Sequence, residues 1–430
     1  MTEMVQALPA GMVAERVGAR LKSRYAAERR FRFYGVAAIV IALSFLAILL
    51  TSIVSRGWSA FTQTEVRLPI TFVLRPTEAD GTNMMSFDFA MLIKDAFIKE
   101  FPDADADRDA RREFRGIISQ GAEESLREYF DANPSAMGQT REVWLPVSAN
   151  VDQLNKGKIS RDPESGGQFS ERALRWIDQL KAHGQLGYHF NRWLFMRGDS
   201  RQPEMAGLLG AVVGTFYSLL VTVLLSFPMG VAAAVYLEEF AVKNRWTDLI
   251  EVNINNLAAV PSIVFGLLGL EIFLNTFGLP RSSPLVGGLC LTLVSLPTII
   301  IASRVALKAV PPWIREAASG LGASRLQTVS HHVLPLAMPG ILTGTIIGMA
   351  RAIGESAPLL MIGMVAFIVD VPKSPLESAT ALPVQIYLWA ANPERAFVER
   401  TSAAICVLLV FLALMNAAAI YLRKKFERRW

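Results

Sequence analysis

Six apolar runs constrain this chain more than any other feature of its sequence. The runs cover residues 33–54, 207–236, 256–277, 285–306, 336–368 and 402–422. Each is near the length of about 20 residues that a helix needs to cross the hydrocarbon core of a bilayer. Of all residues, 52% are hydrophobic and 19% are charged, which is too apolar for a water-soluble protein of this length. We therefore predict an α-helical polytopic membrane protein with six transmembrane helices.

Basic residues precede the first of the six runs and follow the last one. They are Arg16, Arg20, Lys22, Arg24, Arg29, Arg30 and Arg32 before the first run, and Arg423, Lys424, Lys425, Arg428 and Arg429 after the last. By the positive-inside rule both termini lie in the cytoplasm, and six crossings agree with that. The first run is too long for the core of a signal peptide, so we expect it to remain as an uncleaved span.

The segment between the first two spans, residues 55–206, is long enough to be a domain and lies outside the cytoplasm in this orientation. The stretches TEVRLPITFVL (64–74) and REVWLPVSANV (141–151) share a Glu-Val-X-Leu-Pro pattern whose alternation predicts half-buried strands, with proline favouring an edge position. The two strands either pair with each other or resemble each other by chance. Residues 86–100 and 107–130 have helical spacing. We predict a small α+β extracytoplasmic insertion of unknown role.

The sequence predicts no metal site, no cofactor and no catalytic set. The acidic stretch PDADADRD (102–109) lacks the glycine and the distal glutamate of a calcium-binding EF-hand loop, so a solvated turn that starts a helix is favoured over a calcium site. Cys290 and Cys406 lie in apolar spans and are interpreted as small hydrophobic residues. His331 and His332 are adjacent, and neighbours on a helix point about 100° apart, which disfavours a shared metal.

The fourth and fifth spans are joined by VPPWIREAASGLGASRLQTVSHHVLPLAMPG (310–340). Two prolines end the preceding span and start a short amphipathic helix, and a glycine break and a second helical turn follow. The small residues Ala317, Ala318 and Gly322 allow another protein surface to approach closely. A structural connector could have similar features.

The fifth run contains an arginine and a glutamate in the stretch GMARAIGESAPLL (348–360). Arg351 is predicted about 15 Å into the span, close to the middle of the bilayer, where a charge costs about 3 kcal/mol on insertion scales. Glu355 follows one turn later and can pair with it. Gly354, Ser356 and Pro358 predict an irregular, polar backbone of the kind that membranes tolerate at cavities. Either the ion pair only fixes helix packing, or Arg351 offers a fixed cation to a transported anion while Glu355 holds it between passages.

Other polar residues in or near the spans are few. Asn255 and Asn256 are interpreted as a helix start, and Glu271 is expected near the outer surface. None of these three residues is predicted to act in transport.

The 310–340 loop resembles the EAA loop of permease subunits of ATP-binding-cassette importers. That motif reads Glu-Ala-Ala, three residues, Gly, nine residues, Ile, any residue, Leu-Pro. The chain matches it with Glu316, Ala317, Ala318, Gly322, Leu334 and Pro335, and departs from it at His332, which occupies the isoleucine position. The stretches ARAIGESAPLL (350–360), AVPSIVFGL (259–267) and LPVQIYLWA (382–390) resemble phosphate-specific, PstA-type permeases. The likeness covers residues 204–425.

The resemblance implies a type I importer permease core in a bacterial inner membrane. The domain layout is then a basic tail (1–32), a first span (33–54), the extracytoplasmic segment (55–206), the five-span core (207–425) with its EAA loop (311–335), and a short tail (426–430). The implied substrate pathway contains Arg351, Glu355 and Ser356, and the EAA loop would contact an ATPase.

The resemblance also implies partners. These are a second, homologous permease (PstC-like), a dimer of ATPase subunits (PstB-like), an extracytoplasmic phosphate-binding protein (PstS-like) and membrane lipid, without nucleic acid. The sequence contains no GxxxxGK[ST] phosphate loop, so ATP would be bound by a partner. Two alternatives stay open: a permease for another oxyanion such as sulfate or molybdate, and a membrane sensor whose input is the 55–206 segment.

Overall fold

The computed structural model describes residues 10–79, 82–161 and 169–426. It divides the chain into two compact units, Met1–Ser55 and Arg56–Trp430. The outer parts of the two predicted tails, residues 1–9 and 427–430, lie outside the described residues.

The first unit contains nearly all of one long helix, α1 (Ala10–Gly57). This helix includes the first predicted span, 33–54, and it begins at Ala10, within the predicted basic tail. The apolar part is thus the second half of a longer helix whose first half is rich in arginine.

An α+β segment, here called the accessory segment (residues 58–208), follows α1 within the second unit. Its strands are β1 (Thr62–Thr71), β2 (Arg75–Ala79), β3 (Thr82–Ser86), β4 (Thr140–Pro146) and β5 (Leu186–Phe190). Its helices are α2 (Phe89–Glu100), α3 (Arg108–Ile117), α4 (Ala122–Ala132), α5 (Ala149–Asn155), α6 (Glu171–Ala182) and α7 (Trp193–Met196). The predicted α+β character of this segment is confirmed.

Strand β1 lies between β4 and β5 and is antiparallel to both. The two stretches with similar sequence do pair with each other, with Val66 opposite Leu145 and Leu68 opposite Val143. These four side chains are buried in one core because alternate residues of a strand point to the same face. The edge position expected for proline is wrong for β1, which is central. Pro69 is tolerated there because β5 pairs with β1 only from Thr62 to Val66.

The acidic stretch 102–109 forms a short 3-10 turn followed by the start of α3, as predicted. Asp107 accepts a hydrogen bond from the backbone N–H of Ala110 and caps the helix. Asp105 contacts Lys94 at 3.2 Å and Arg111 at 2.7 Å, and the hydrogen bond from Lys94 is the main factor that lowers the pKa of Asp105. The carboxylates of Asp105 and Asp107 are therefore already paired with basic side chains or with a backbone N–H group. No group of three metal-binding side chains occurs in the described part of the chain.

The helices of the predicted membrane core follow the accessory segment. They are α8 (Leu209–Val235), α9 (Arg245–Ala258), α10 (Ser262–Gly269), α11 (Pro284–Lys308), α12 (Pro312–Gly320), α13 (Arg325–Thr328), α14 (Leu334–Gly354), α15 (Ala357–Met361), α16 (Leu382–Ala390) and α17 (Ala396–Phe426). In the part of the chain that the structure describes, α1 included, five helical stretches are long and apolar enough to cross a membrane. Counting one bent helix pair as a single span raises the number to the predicted six.

The bent pair corrects the prediction of one straight span at 256–277. It joins α9 to α10 and its π-helical extension to Thr276 at an angle of 101°. Pro261 separates the two helices, because a residue before proline avoids the helical conformation. The helix-start interpretation of Asn255 and Asn256 is wrong, since both lie in the last turn of α9. Asn244 caps this helix instead, accepting hydrogen bonds from two backbone N–H groups at 3.0 Å.

Small residues allow α8, α11 and α14 to pack closely. A Cβ atom at Gly344 would lie 2.2 Å from the Cβ of Ala302, and one at Gly340 would lie 2.7 Å from the Cβ of Ala306. A Cβ at Gly288 would lie 2.5 Å from the Cβ of Val221. Close approach of this kind gives dispersion contacts in a membrane, where the hydrophobic effect does not drive helices together.

Candidate functional site

The structure brings Arg351 and Glu355 together at the end of α14. The Arg351 Nε atom lies 3.6 Å from Glu355 Oε1, and the side chains are 50% and 20% exposed, respectively. The helix buries Thr345, Gly348 and Ala352 against the rest of the chain, and it leaves Arg351 on its exposed side. In the single chain the guanidinium therefore has one acidic neighbour and an open side that could meet an anion.

The polypeptide changes direction directly after this pair. Helix α14 ends at Gly354, and Glu355 has an extended backbone with ψ of 109°. The backbone N–H of Leu360 donates to the carbonyl of Ser356 at 2.9 Å, which starts α15. The predicted fifth span, 336–368, is thus not one continuous helix. Pro358 explains the break, because a proline within the helix would clash with the preceding turn.

The break is packed rather than loose. Pro358 is buried, and a Cβ atom at Gly266 of α10 would lie 2.7 Å from its Cα. Leu359 and Ile362 are also buried in the apolar cluster that contains Met349 of α14. Packing of α15 against α10 therefore fixes the position at which the backbone carrying Glu355 and Ser356 turns.

The EAA loop forms two short helices joined by a glycine turn. Gly322 has a φ of +86°, a conformation that favours glycine, between α12 and α13. Ser324 and Gln327 form a reciprocal capping box that starts α13. A π-helical turn from Val329 to Val333 then leads into Leu334 and Pro335, the first residues of α14.

The residues of the EAA motif are divided between an exposed and a buried side of α12. Glu316 and Ala317 are exposed, whereas Ala318 is buried. Leu321 is 91% exposed, and Trp313 is also largely exposed. Trp313, Leu321 and His332 border an apolar cavity of about 720 Å³. Exposed large apolar side chains around a cavity are typical of a surface that contacts another protein.

Arg315 fixes the position of α12 relative to two long helices. Its Nη2 atom donates to Glu239 Oε1 at 2.5 Å and to the carbonyl of Leu307 at 3.0 Å, and Nη1 donates to the carbonyl of Val310 at 2.8 Å. Glu239 follows α8, its side chain is only 9% exposed, and Leu307 belongs to the last turn of α11. These contacts connect the EAA loop to the ends of both α8 and α11.

A cluster of ion pairs lies near the contacts of Arg315 with Glu239. Arg304 of α11 contacts Glu251 of α9 at 2.5 Å and Glu238 at 3.5 Å, and Lys308 lies 3.6 Å from Glu238. The ends of α8 and α11 and the middle of α9 are therefore held together by charge on the side of the core that contains the EAA loop.

Comparison with known proteins gives the family of this fold and loop. The family model described as "Binding-protein-dependent transport system inner membrane component" matches residues 226–430, and a domain of unknown function, DUF3333, matches residues 18–165. The phosphate transport system permease protein PstA 1 of Mycobacterium tuberculosis (strain ATCC 25618 / H37Rv) is 33% identical over 234 residues, 54% of this chain and 75% of the relative. The chain belongs to this family of inner membrane components. It is a PstA-type permease subunit and an integral inner membrane protein.

Further relatives match the same part of the permease. PstA of Haemophilus influenzae (strain ATCC 51907 / DSM 11121 / KW20 / Rd) is 30% identical over 55% of this chain and 81% of the relative. A solved structure of the MetNI methionine ABC transporter matches with 21% identity and a TM-score of 0.41, over 52% of this chain and 95% of that chain. The family confirms the predicted type I importer permease core, and the structure confirms the α+β insertion before it.

The permease also contains a buried charge cluster that the sequence did not predict. Glu399 of α17 is 5% exposed and lies 3.0 Å from the Nζ atoms of both Lys156 and Lys158. Lys156 contacts Asp152 of α5 at 2.7 Å, and Arg400 is buried beside Glu399. This cluster joins the accessory segment to the last span. No local motif could have indicated it, since Lys156 and Glu399 are 243 residues apart.

Proposed function

We propose that this permease forms half of the translocation pathway of an ATP-driven phosphate importer. The main support is that relatives matching the core are phosphate transport permeases, and that the core places a half-exposed guanidinium at a break in a membrane helix. A planar guanidinium donates two parallel hydrogen bonds to the oxygens of phosphate, and such charge-assisted bonds are stronger than neutral ones.

In the proposed pathway, Arg351 and Glu355 alternate between two states. Without substrate, Glu355 at 3.6 Å balances the arginine charge. When phosphate enters, its oxygens replace the carboxylate at the guanidinium, and the Ser356 hydroxyl adds a hydrogen-bond donor at the same turn. The weak, long ion pair suits this exchange, because a tight bidentate pair would compete more strongly with the substrate.

The energy for transport comes from partner subunits. A second permease completes the pathway, a dimer of ATPase subunits contacts the EAA loops, and a soluble binding protein delivers phosphate from outside. ATP binding closes the ATPase pair and moves α12, and Arg315 transmits the movement to the ends of α8 and α11. The core then alternates between inward-open and outward-open states.

The proposed substrate is tested by uptake in a strain lacking the chromosomal gene. Expression of the permease should restore uptake of radiolabelled phosphate, and an excess of unlabelled sulfate or molybdate should leave that uptake unchanged. Sulfate has a similar size and shape, so it is the stringent competitor. Restored sulfate uptake, or phosphate uptake that sulfate suppresses, would instead assign the permease to another oxyanion.

The orientation of the chain is part of the same proposal. Because basic residues flank the first and last spans, both termini are placed in the cytoplasm and the accessory segment outside. A reporter enzyme that is active only outside the cytoplasm, fused after Asn133, should be active. Activity of a cytoplasm-specific reporter at the same position would contradict this orientation and the assignment of the EAA loop to the ATPase side.

A further inference from the structure

The accessory segment contains a cavity of about 630 Å³ to which the transport mechanism assigns no role. Its walls come from one face of the sheet, from α4, and from Arg192 and Trp193 at the start of α7. Cavities of about 300 to 1,000 Å³ are typical of sites for small molecules. The size therefore suits a single small ligand.

Strand β1 lines the cavity with polar side chains. Val66 and Leu68 point into the hydrophobic core, and by alternation Gln63 and Glu65 point to the opposite face, where they line the cavity. Gln63 is only 3% exposed, and its Nε2 atom has no hydrogen-bond partner among the residues that the structure describes. A buried amide donor without a partner is unfavourable, so this group indicates an acceptor supplied from outside the chain.

Two opposite charges in the cavity are available to a ligand. Glu65 has only His189 within ion-pair distance, at 3.2 Å. Arg192 interacts with Glu65 through space, yet within the described ranges it forms no ion pair closer than 4 Å. Burial raises the pKa of Glu65, and a neighbouring ligand cation would oppose that effect.

The other carboxylates of the cavity already have arginine partners. Glu142 lies 3.1 Å from Arg67, and Glu128 lies 2.6 Å from Arg197. Neither of these arginines lines the cavity. Glu65 is therefore the carboxylate best placed to accept an ammonium group.

Aromatic rings form the remaining wall. Trp144, Tyr129, Phe190 and Trp193 line the cavity together with the polar groups. Aromatic rings bind apolar side chains through their faces, and they also tolerate a nearby cation.

We propose that this cavity binds a free α-amino acid with an apolar side chain. Its ammonium group contacts Glu65, its carboxylate accepts from Arg192 and from the Gln63 amide, and its side chain packs against Trp144. The zwitterion provides a partner of opposite charge for Glu65 and for Arg192 and an acceptor for the unpaired amide at once, which neither a simple cation nor a simple anion can do. The site does not depend on the transport function proposed above.

The test uses the full-length protein in lipid nanodiscs and follows tryptophan fluorescence, since Trp144 and Trp193 line the cavity. Leucine and phenylalanine should bind saturably and more tightly than glycine. N-acetyl-leucine lacks the ammonium charge and leucine amide lacks the carboxylate. Each should bind at least about tenfold more weakly than leucine, because each loses a charge-assisted contact.

Two variants test which residue contacts the ammonium group and which contacts the carboxylate. Each variant is compared with the leucine analogue that lacks the matching charge. Glu65→Gln should weaken leucine at least about tenfold and leave N-acetyl-leucine unchanged, whereas Arg192→Gln should weaken leucine and leave leucine amide unchanged. Glu171→Gln, on an exposed position of α6, is the matched control and should bind leucine normally. The proposal is overturned if no amino acid binds to the wild type, if the blocked analogues bind as tightly as leucine, or if both variants keep the preference for the zwitterion.

Discussion

The variant Arg351→Gln is expected to reach the membrane, assemble with its partners and lose phosphate uptake by about one to two orders of magnitude. Glutamine keeps a hydrogen-bond donor and most of the length, but it removes the charge that a phosphate oxygen would meet. Arg351 is half exposed in the single chain, so its loss leaves no large cavity in the fold. Uptake is measured beside the amount of protein in the membrane and the amount of ATPase that co-purifies.

The control for Arg351 addresses the alternative that the ion pair only fixes packing. Arg351→Gln also leaves the Glu355 carboxylate without its partner, and this alone could reduce activity. The double variant Arg351→Gln with Glu355→Gln removes both charges. If the pair were purely structural, the double variant would regain uptake. Under the proposed mechanism it assembles normally and stays inactive.

The second large effect is expected at Arg315. Arg315→Ala removes the hydrogen bonds to Glu239, Leu307 and Val310 and leaves a mostly buried carboxylate unpaired. The free energy of unfolding should fall by about 1.5 to 3 kcal/mol, the usual contribution of hydrogen bonds to charged groups. Because α12 then moves independently of α8 and α11, phosphate uptake should be lost although the ATPase still co-purifies. ATP hydrolysis and uptake are measured together in the purified complex.

Two further variants separate coupling from stability. Arg245→Ala removes an exposed arginine at the start of α9, outside the EAA loop, and should leave both measurements unchanged. The double variant Arg315→Gln with Glu239→Gln removes the unpaired charge and should recover thermal stability without recovering uptake. Normal uptake in this stable double variant would contradict a role of Arg315 in transmission.

Features that depend on local sequence were predicted well. Apolar length predicted the spans, alternation predicted β1 and β4, and the acidic stretch 102–109 predicted a turn that starts a helix, which is α3. The two short helices of the loop were also predicted, because two prolines and a glycine break restrict the local backbone strongly, whereas the resemblance to a known family identified it as an EAA loop. The motif did not indicate that Ala318 faces inward while Ala317 is exposed.

Features that depend on packing between distant segments were not predicted. The bend between α9 and α10 follows from Pro261, but apolar composition is the same in a straight span and a bent one. The contacts of Arg315 require the ends of α8 and α11 to meet α12, and Arg315 and Glu239 are separated by 76 residues. The close packing of α14 is the exception, because the glycines at 340, 344 and 348 indicate it in the sequence. Their spacing of four places small residues on one face of the helix.

Reconstitution tests the central proposal most directly. The permease, its partner permease and the ATPase subunits are placed in proteoliposomes, and the phosphate-loaded binding protein is supplied on the side of the accessory segment. With ATP on the opposite side, radiolabelled phosphate should accumulate across the membrane, and complexes carrying the Arg351→Gln, Glu355→Gln double variant should not accumulate it. Accumulation by the double variant at the wild-type rate, or accumulation of sulfate in place of phosphate by the wild type, would contradict the proposal.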